Sequence, residues 1–325
     1  MEDIFISGTI GYIHLENVEN QILLLSDNHS SEQYCTKNSQ FISDWLLTKN
    51  SKILLEEVPR TEGSKLLALW KSKHIQQLKE IYLKQNLDEN QIEAIDIRPL
   101  LIPFNLDIFK IDNIDKEYIE KLKNTNIINY LESLDSFFEL KHKYFIDNIG
   151  NVYNKLDIDI DNEKLKKHFF ELKNSFIDLK KQYDNVLDEK FKDKIDELLS
   201  SIMEWYTIAK IFYNNKSGIH KFIIHAGLFH TTNLNKILID SYGYKKINSD
   251  GIIDFENIKD ENDDGVINIK KTNDDDDDDN CLRIPSHVNS QFGGYNEKYR
   301  KYKGKYLALK KLNILMQFER SNKNI

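Results

Sequence analysis

Cysteine, proline and glycine are all scarce in this chain. Its 325 residues include only two cysteines, four prolines and twelve glycines. The two cysteines, Cys35 and Cys281, are too few for a disulfide scaffold, and they fit a reducing compartment better than an oxidising one. The scarcity of glycine and proline accompanies an abundance of Ile, Asn, Lys and Asp, which indicates an AT-rich genome rather than a particular chemistry.

Long hydrophobic runs and basic tracts are also missing. No apolar run approaches the roughly 20 residues that a membrane-spanning helix needs, and the first residues lack the pattern of a signal peptide. Lys and Arg total 45 against 53 Asp and Glu, a formal net charge of −8, and no Lys/Arg-dense tract stands out. We therefore expect a protein of the cytoplasm (or of a virion, if the source is a virus) that binds neither membranes nor nucleic acid.

The chain does contain short apolar runs that alternate with helical patterns. Such runs, bounded by turn residues, predict buried strands. The predicted strands are Ile4–His14, which pairs with Gln21–Leu25 as a hairpin, then Ile53–Glu57, Ile92–Ile97 and Lys221–His225. Strand, helix and strand recur at the length of a βαβ unit. The sequence therefore predicts an α/β fold, in which a mainly parallel sheet is flanked by helices.

The character of the sequence changes after residue 106. Residues 107–212 have no proline and a single glycine, Gly150, and their apolar residues step mostly by three and four, as at Leu172, Phe176 and Leu179. This spacing predicts helices. We expect an all-helical insertion over the carboxyl edge of the sheet. Two interpretations stay open: a plain bundle with no site of its own, and a surface for a protein partner.

This change divides the chain into a core and two additions. Residues 1–106 and 213–325 form the predicted α/β core, and residues 107–212 form the helical insertion. Within the second half of the core, residues 256–280 include six consecutive aspartates. Because like charges repel each other and stay solvated, we expect this stretch to be a disordered acidic loop.

Ionisable side chains follow the predicted strands where each strand ends. They are Asp27 and His29, Glu56 and Glu57, Asp96 and Arg98, and His225 and His230. Parallel α/β sheets carry their sites outside the carboxyl ends of strands, so we expect these groups at one site. Because side chains alternate along a strand, only one of Glu56 and Glu57 faces the site, and we favour Glu56. We favour His230 over His225, since Gly227 permits a tight turn before it.

Each pair also has a purely structural explanation. Asp27 can cap a helix, with His29 on the surface. Asp96 and Arg98, two residues apart on one strand face, can form an ion pair with each other or with Glu56. The alternative role for Arg98 is to bind an anionic transition state.

These four strand ends resemble a hydrolase superfamily that includes the erythromycin esterases, the ChaN-like haem-uptake proteins and the TraB/Tiki proteins. Its members combine a first G-x-x-H or G-E-x-H motif, a strand-end glutamate, a later arginine and a second G-x-x-H motif. The matching residues, in the same order, are Ser26-Asp-Asn-His29, Glu56, Arg98 and Gly227-Leu-Phe-His230. The first motif departs from the family, with Ser26 in place of glycine and Asp27 in place of the esterases' glutamate. The composition is similar to that of giant-virus members.

The resemblance implies hydrolysis of an ester or a peptide, with a small molecule or a peptide as substrate. His29 or Glu56 would act as general base on water, and Arg98 and His230 would stabilise the oxyanion. Tiki-type relatives resemble metal-dependent peptidases. A divalent metal (Zn, Mn or Co) is therefore an open alternative, with His29, Glu56 and His230 as its ligands.

Two other functions stay open. Asp27-Asn-His29 resembles the opening D-x-H of calcineurin-like metallophosphoesterases, but the G-D-x-x-D and G-N-H-(D/E) motifs of that family are absent. A non-catalytic binding protein on the same scaffold is the second, with the helical insertion as its partner surface. A G-x-S-x-G nucleophile elbow, a P-loop and a Rossmann fingerprint are absent from the sequence.

Overall fold

The structure, a computed structural model, describes residues 3–27, 39–57, 91–101, 127–141, 163–183, 189–254 and 281–292. The strands are β1 (Ile4–Ser7), β2 (Gly11–Glu16), β3 (Gln21–Asp27), β4 (Gln40–Phe41), β5 (Lys52–Leu55), β6 (Ile92–Ala94), β7 (Lys221–Gly227), β8 (Lys245–Gly251) and β9 (Leu282–Ile284). The helices are α1 (Ile42–Leu47), α2 (Arg98–Leu101), α3 (Ile127–Phe138), α4 (Glu163–Gln182), α5 (Glu189–Asn215), α6 (Leu228–Tyr242) and α7 (Ser286–Gln291).

The main sheet has six strands in the order β6-β5-β7-β3-β2-β8. The pairs β6·β5, β5·β7 and β7·β3 are parallel, whereas β2 is antiparallel to both β3 and β8. The α/β fold with a parallel sheet core flanked by helices is thus confirmed, with antiparallel strands added at one edge. A second, three-stranded sheet has the order β4-β1-β9.

The predicted first hairpin is correct only in its second half. β2 pairs with β3 from Gly11↔Ser26 to Glu16↔Gln21. The preceding residues do not continue the same strand, because β1 belongs to the second sheet, where it pairs with β9. Gly8, which lies between β1 and β2, has a φ of 93°, a conformation that breaks a strand and that glycine adopts without strain.

The position of β7 determines where the candidate residues meet. β3 and β5 do not pair as a simple βαβ unit would; β7, which comes almost 170 residues after β5 in the chain, lies between them in full parallel register. The residues that follow β7 therefore lie directly between the carboxyl ends of β3 and β5. Because such ends share one edge of a sheet, side chains from distant parts of the sequence converge there.

The two faces of the main sheet are buried by different elements. Residues Ile22, Leu24, Leu54, Phe222 and Ile224 contact α3, α4, α5 and α6, and we call this side the helix face. Their neighbours in sequence, including Leu23, Leu25, Ile53 and Leu55, contact α1, α7 and the second sheet, and we call this side the opposite face. The alternation follows from the two-residue period of a strand.

The predicted helices between 107 and 212 are present wherever the structure describes this region. Leu165, Phe169, Leu172, Phe176 and Leu179 are buried along one side of α4 at spacings of three and four. These residues belong to the same hydrophobic cluster as the sheet residues of the helix face. The helical region therefore packs on the sheet as part of one core, and α5 continues to Asn215 before β7 begins.

Several sequence predictions lie outside the described residues, among them His29 and the acidic loop 256–280. Cys281, directly before β9, is disulfide-bonded, which differs from the expectation of two reduced cysteines; the one other cysteine of the sequence, Cys35, lies outside the described residues. None of the described helices has the length and apolarity needed to cross a membrane.

Candidate active site

Three predicted site residues from separate parts of the chain meet at the carboxyl edge of the sheet. Arg98 Nη2 donates to Glu56 Oε1 at 2.8 Å, and Arg98 Nη1 lies 2.9 Å from His230 Nε2. Glu56 follows β5, Arg98 opens α2, and His230 lies in the first turn of α6. The side chains are between 2 and 8% exposed, so the cluster is shielded from bulk water.

Arg98 is the centre of this cluster. Its Nε donates to Asp96 Oδ1 at 2.7 Å and its Nη2 donates to Asp96 Oδ2 at 3.0 Å, a two-point contact that fits the planar guanidinium. Burial alone would lower the pKa of Arg98, but the adjacent carboxylates of Asp96 and Glu56 raise it overall. The guanidinium is therefore a permanent, buried positive charge with a fixed orientation.

Glu56 joins the arginine to the start of α6. Its Oε2 accepts a hydrogen bond from the Gly227 N–H at 2.6 Å, while its Oε1 accepts from Arg98. Gly227 is the N-cap of α6 and carries no capping side chain of its own. A carboxylate at a helix N-terminus satisfies an unpaired N–H and interacts favourably with the helix dipole. Glu56 therefore acts as the anionic cap of α6, which orients the turn that carries His230.

His230 has a partner at each ring nitrogen. Nε2 faces Arg98 Nη1 at 2.9 Å and lies 3.5 Å from Glu56 Oε1, and Nδ1 lies 3.2 Å from Glu204 Oε1. The exposed ring of Phe229 packs edge-on against the imidazole, with 5.3 Å between centroids. The position and the plane of the imidazole are thus fixed from several directions.

Glu204, in the middle of α5, is the site residue that sequence reasoning missed. It is 2% exposed, and its Oε1 also accepts from Asn233 Nδ2 at 2.9 Å. Glu204 therefore joins α5 to the cluster, a contact that neither interpretation of the helical region anticipated. A signal existed in the sequence: Glu204 is the one charged residue in Ile202-Met-Glu-Trp-Tyr206, and a carboxylate in such a segment needs a buried partner.

The secondary candidates divide between the two faces of the sheet. Asp96 belongs to the Arg98 cluster, as described above. His225 and Asp27 alternate with Ala226 and Ser26, which places them on the opposite face together with Leu25. Glu57 follows Glu56 and is likewise buried. The preference for Glu56 over Glu57 and for His230 over His225 therefore agrees with the geometry of the cluster.

Ser26 stands where the resembling family has glycine. Its hydroxyl lies 2.8 Å from the Thr231 hydroxyl, and both residues are fully buried. This contact joins the end of β3 to the first turn of α6, next to His230. A serine at this position therefore contributes to the packing of α6 against the sheet.

The described donors do not fit a metal site. Both oxygens of Glu56 accept hydrogen bonds, from Arg98 and from the Gly227 N–H, and a guanidinium faces His230 Nε2. A cation at this position would meet the positive charge of Arg98. Within the described ranges, no group of three or more His, Cys, Asp or Glu side chains is placed to hold a metal ion. The third predicted ligand, His29, lies outside those ranges.

An open groove of about 510 Å³ lies at the other end of the sheet. Val18 and Glu19 of the β2–β3 turn, Phe212 and Lys216, and His220 just before β7 are among its lining residues. These residues adjoin the amino ends of β3 and β7, whereas the cluster lies at the carboxyl ends. The groove is therefore separate from the candidate site.

Comparison with known proteins gives no match: no family model, no curated protein and no solved structure is similar to this chain. The resemblance to the esterase and Tiki superfamily thus rests on the strand-end motifs alone.

Proposed function

We propose that this chain is a hydrolase of esters or peptides, with Arg98 and His230 as the residues that act on the substrate. The contact between Arg98 and the His230 imidazole carries this proposal. An ion-pair network that serves stability alone pairs a guanidinium with carboxylates, and Asp96 and Glu56 already do so here. An imidazole adds no compensating charge to such a pair. It does add a side chain of the kind that most often serves as a general acid or base.

The roles follow from the chemistry of acyl transfer to water. Water adds to the carbonyl carbon, and its proton passes to a base; His230 is the imidazole available for this step. The carbonyl oxygen becomes an oxyanion, which Arg98 Nη1, the guanidinium nitrogen that faces His230, stabilises as the negative charge develops. As the tetrahedral intermediate collapses and the C–O or C–N bond breaks, the leaving oxygen or nitrogen takes up the proton from His230 and departs as an alcohol or an amine.

Glu56 is a positioning residue in this scheme rather than the base. Its two oxygens accept hydrogen bonds from Arg98 and from the Gly227 N–H, so it holds the guanidinium and the start of α6 in place. His230 Nε2 becomes able to act as base when Arg98 Nη1 turns its hydrogen bond from the imidazole to the substrate. His29, the alternative base of the sequence analysis, stays a candidate beside His230. A metal ion has no part in the proposal, because a cation between Glu56 and His230 would meet the positive charge of Arg98.

The test is a substrate panel with a matched pair of histidine variants. Wild type, His230→Gln and His220→Gln are assayed on p-nitrophenyl esters, a macrocyclic lactone and an unstructured peptide. His220 is exposed at the far end of the sheet, so its variant should keep the wild-type rate. We expect His230→Gln to lose about a hundredfold or more in rate, and a chelator to leave the wild-type rate unchanged. Equal rates in both variants would refute the assignment of His230.

A binding protein on the same scaffold is the second candidate, and two observations favour it. The cluster is buried and its charged groups are mutually satisfied, as in a structural network. In addition, Phe170 and Ile177 lie seven residues apart on α4 and are 54% and 38% exposed, so they share one apolar stripe. Absence of hydrolysis across the panel, with wild-type protein that unfolds cooperatively on heating, would favour this candidate.

We place the protein in the cytoplasm, of the host if the source is a virus, as part of the same proposal. The use of only two cysteines supports this location. The disulfide at Cys281 points the other way. Trapping of free thiols in intact cells, followed by non-reducing electrophoresis, decides between them, because a cytoplasmic protein should carry both thiols reduced.

A further inference from the structure

We propose that Glu204 of α5 is a positioning residue that fixes His230 as the neutral tautomer with its proton on Nδ1. The lone pair of Nε2 then faces Arg98 and Glu56. The consequence for catalysis rests on the proposed function, whereas the tautomer itself is a property of the free protein. A side chain of the helical region would thereby fix the tautomer of an imidazole in the α/β core.

The contact at Nε2 limits where the proton of His230 can lie. A guanidinium nitrogen carries only hydrogens and cannot accept a hydrogen bond. Arg98 Nη1 lies 2.9 Å from Nε2, so Nε2 must present its lone pair rather than a proton. A proton on Nε2 would have to point to Glu56 Oε1, which lies farther away, at 3.5 Å, and it would also meet the hydrogens of Arg98.

The second step concerns Nδ1. A neutral imidazole has one proton, and with Nε2 as acceptor that proton lies on Nδ1. The partner of Nδ1 is Glu204 Oε1 at 3.2 Å. The same oxygen accepts from Asn233 Nδ2 at 2.9 Å, which is the behaviour of a carboxylate acceptor. Both contacts therefore agree on a single tautomer, in which Nδ1–H donates to Glu204.

The third step is the placement of Glu204. It is 2% exposed and lies between buried Met203 and Trp205 on α5, a helix anchored in the hydrophobic cluster of the helix face. Its carboxylate therefore cannot move away from His230 without disturbing that packing. An acceptor fixed behind an imidazole holds the ring in one tautomer and orientation, which is what a base needs in order to act through its other nitrogen.

The experiment is nitrogen NMR of protein with labelled histidine, recorded without substrate. The His230 signal is identified by its loss in His230→Gln. We expect wild type to show a protonated Nδ1 and an unprotonated Nε2. Glu204→Gln keeps an acceptor and should keep this pattern. Glu204→Leu removes the partner of Nδ1–H, so we expect the ring to turn away from Arg98 and to show a mixture of tautomers. Glu197→Gln, an exposed carboxylate two turns earlier on α5, is the matched control and should match wild type.

The rates provide the second measurement. For the best substrate of the panel, we expect Glu204→Leu to lower kcat about a hundredfold with little change in KM, and Glu197→Gln to change neither. A wild-type His230 with its proton on Nε2, or an unchanged tautomer in folded Glu204→Leu, would overturn the inference. If Glu204→Leu does not fold, the wild-type and Glu204→Gln spectra decide. If no substrate is hydrolysed, the proposed function fails, and the NMR result still tests the role of Glu204.

Discussion

Two ion clusters lie on the helix face of this protein, one buried and one partly buried, and α5 contributes to both. At the carboxyl edge, Glu204 joins the cluster of Arg98, Glu56 and His230. Near the amino ends of the strands, Lys210 of α5 lies 3.3 Å from Glu93 Oε2, and Lys52 of β5 lies 2.6 Å from Glu93 Oε1. The same helix thus crosses from one polar cluster to the other.

The two clusters differ in the side chains that each contains besides its ion pair. The amino-end cluster has two lysines for one carboxylate, and the ammonium of Lys210 lies 5.7 Å and 5.3 Å from the ring centroids of Tyr206 and Tyr213. Burial raises the pKa of Glu93, but Lys210 and Lys52 outweigh this effect and lower it overall. Lysine and glutamate ordinarily keep one charge state near neutral pH. Of the two clusters, only the one at the carboxyl edge contains an imidazole, the side chain that most often serves as a general base.

Replacement of Arg98 should give the largest effect, on activity and stability together. Arg98→Met leaves Asp96 and Glu56 as buried carboxylates without their shared cation, which we expect to cost about 3–5 kcal/mol of unfolding free energy. It also removes the donors for the oxyanion, so the hydrolysis rate should fall about a hundredfold or more. Urea unfolding and the substrate panel measure the two effects.

Arg98→Lys is the matched control for charge. A lysine keeps the positive charge but cannot reach Asp96, Glu56 and His230 with separate planar donors, so we expect it to restore part of the stability and little of the rate. A wild-type rate in either folded variant would contradict the role of Arg98.

Replacement of Glu93 should separate stability from activity. Glu93→Gln removes the negative charge that lies beside the ammonium of Lys52, whose side chain is 6% exposed. We expect a loss of about 2–3 kcal/mol of unfolding free energy, smaller than for Arg98 because Glu93 is partly accessible to water. The hydrolysis rate of the folded protein should not change. A rate loss like that of Arg98→Met, measured well below the melting temperature, would remove the distinction between the two clusters.

Much of this arrangement was predictable from local sequence signals. Each strand-end residue adjoins an apolar run, and a parallel sheet brings such ends to one edge, so the sequence alone was enough to place Glu56, Arg98 and His230 together. The order of strands was not predictable in the same way. β7 lies between β3 and β5 although it is remote from both in sequence, and no local pattern encodes that choice.

Two features of the structure could not be predicted from local sequence patterns. Glu204 acts through contacts with His230 and Asn233, which lie 26 and 29 residues away in another element, so its spacing along α5 carries no direct sign of its partner. The split of the first predicted strand into β1 and β2 depends on pairing with β9, near the other end of the sequence. In both cases contacts between distant parts of the chain determined the structure. The spacing of apolar residues could predict only the type of secondary structure.

Replacement of His14, a buried histidine outside both clusters, should give the smallest effect. It tests how burial changes the pH dependence of the unfolding free energy at an imidazole that lacks the partners of His230. His14 of β2 is fully buried, its ring packs edge-on against Phe292, and burial lowers its pKa in spite of Glu16 nearby. Below the ordinary histidine pKa of about 6.5, the unfolded chain therefore binds a proton that the folded protein does not. The free energy of unfolding then falls as the pH falls, by up to about 1.4 kcal/mol per pH unit.

His14→Phe should reduce that slope in urea unfolding between about pH 7.5 and about pH 5.5. His168, whose pKa burial also lowers, remains in the variant, so some slope should persist. An unchanged slope would mean that the folded protein protonates His14 as readily as the unfolded chain does. Burial alone would then not distinguish His14 from the imidazole that contacts Arg98 and Glu204.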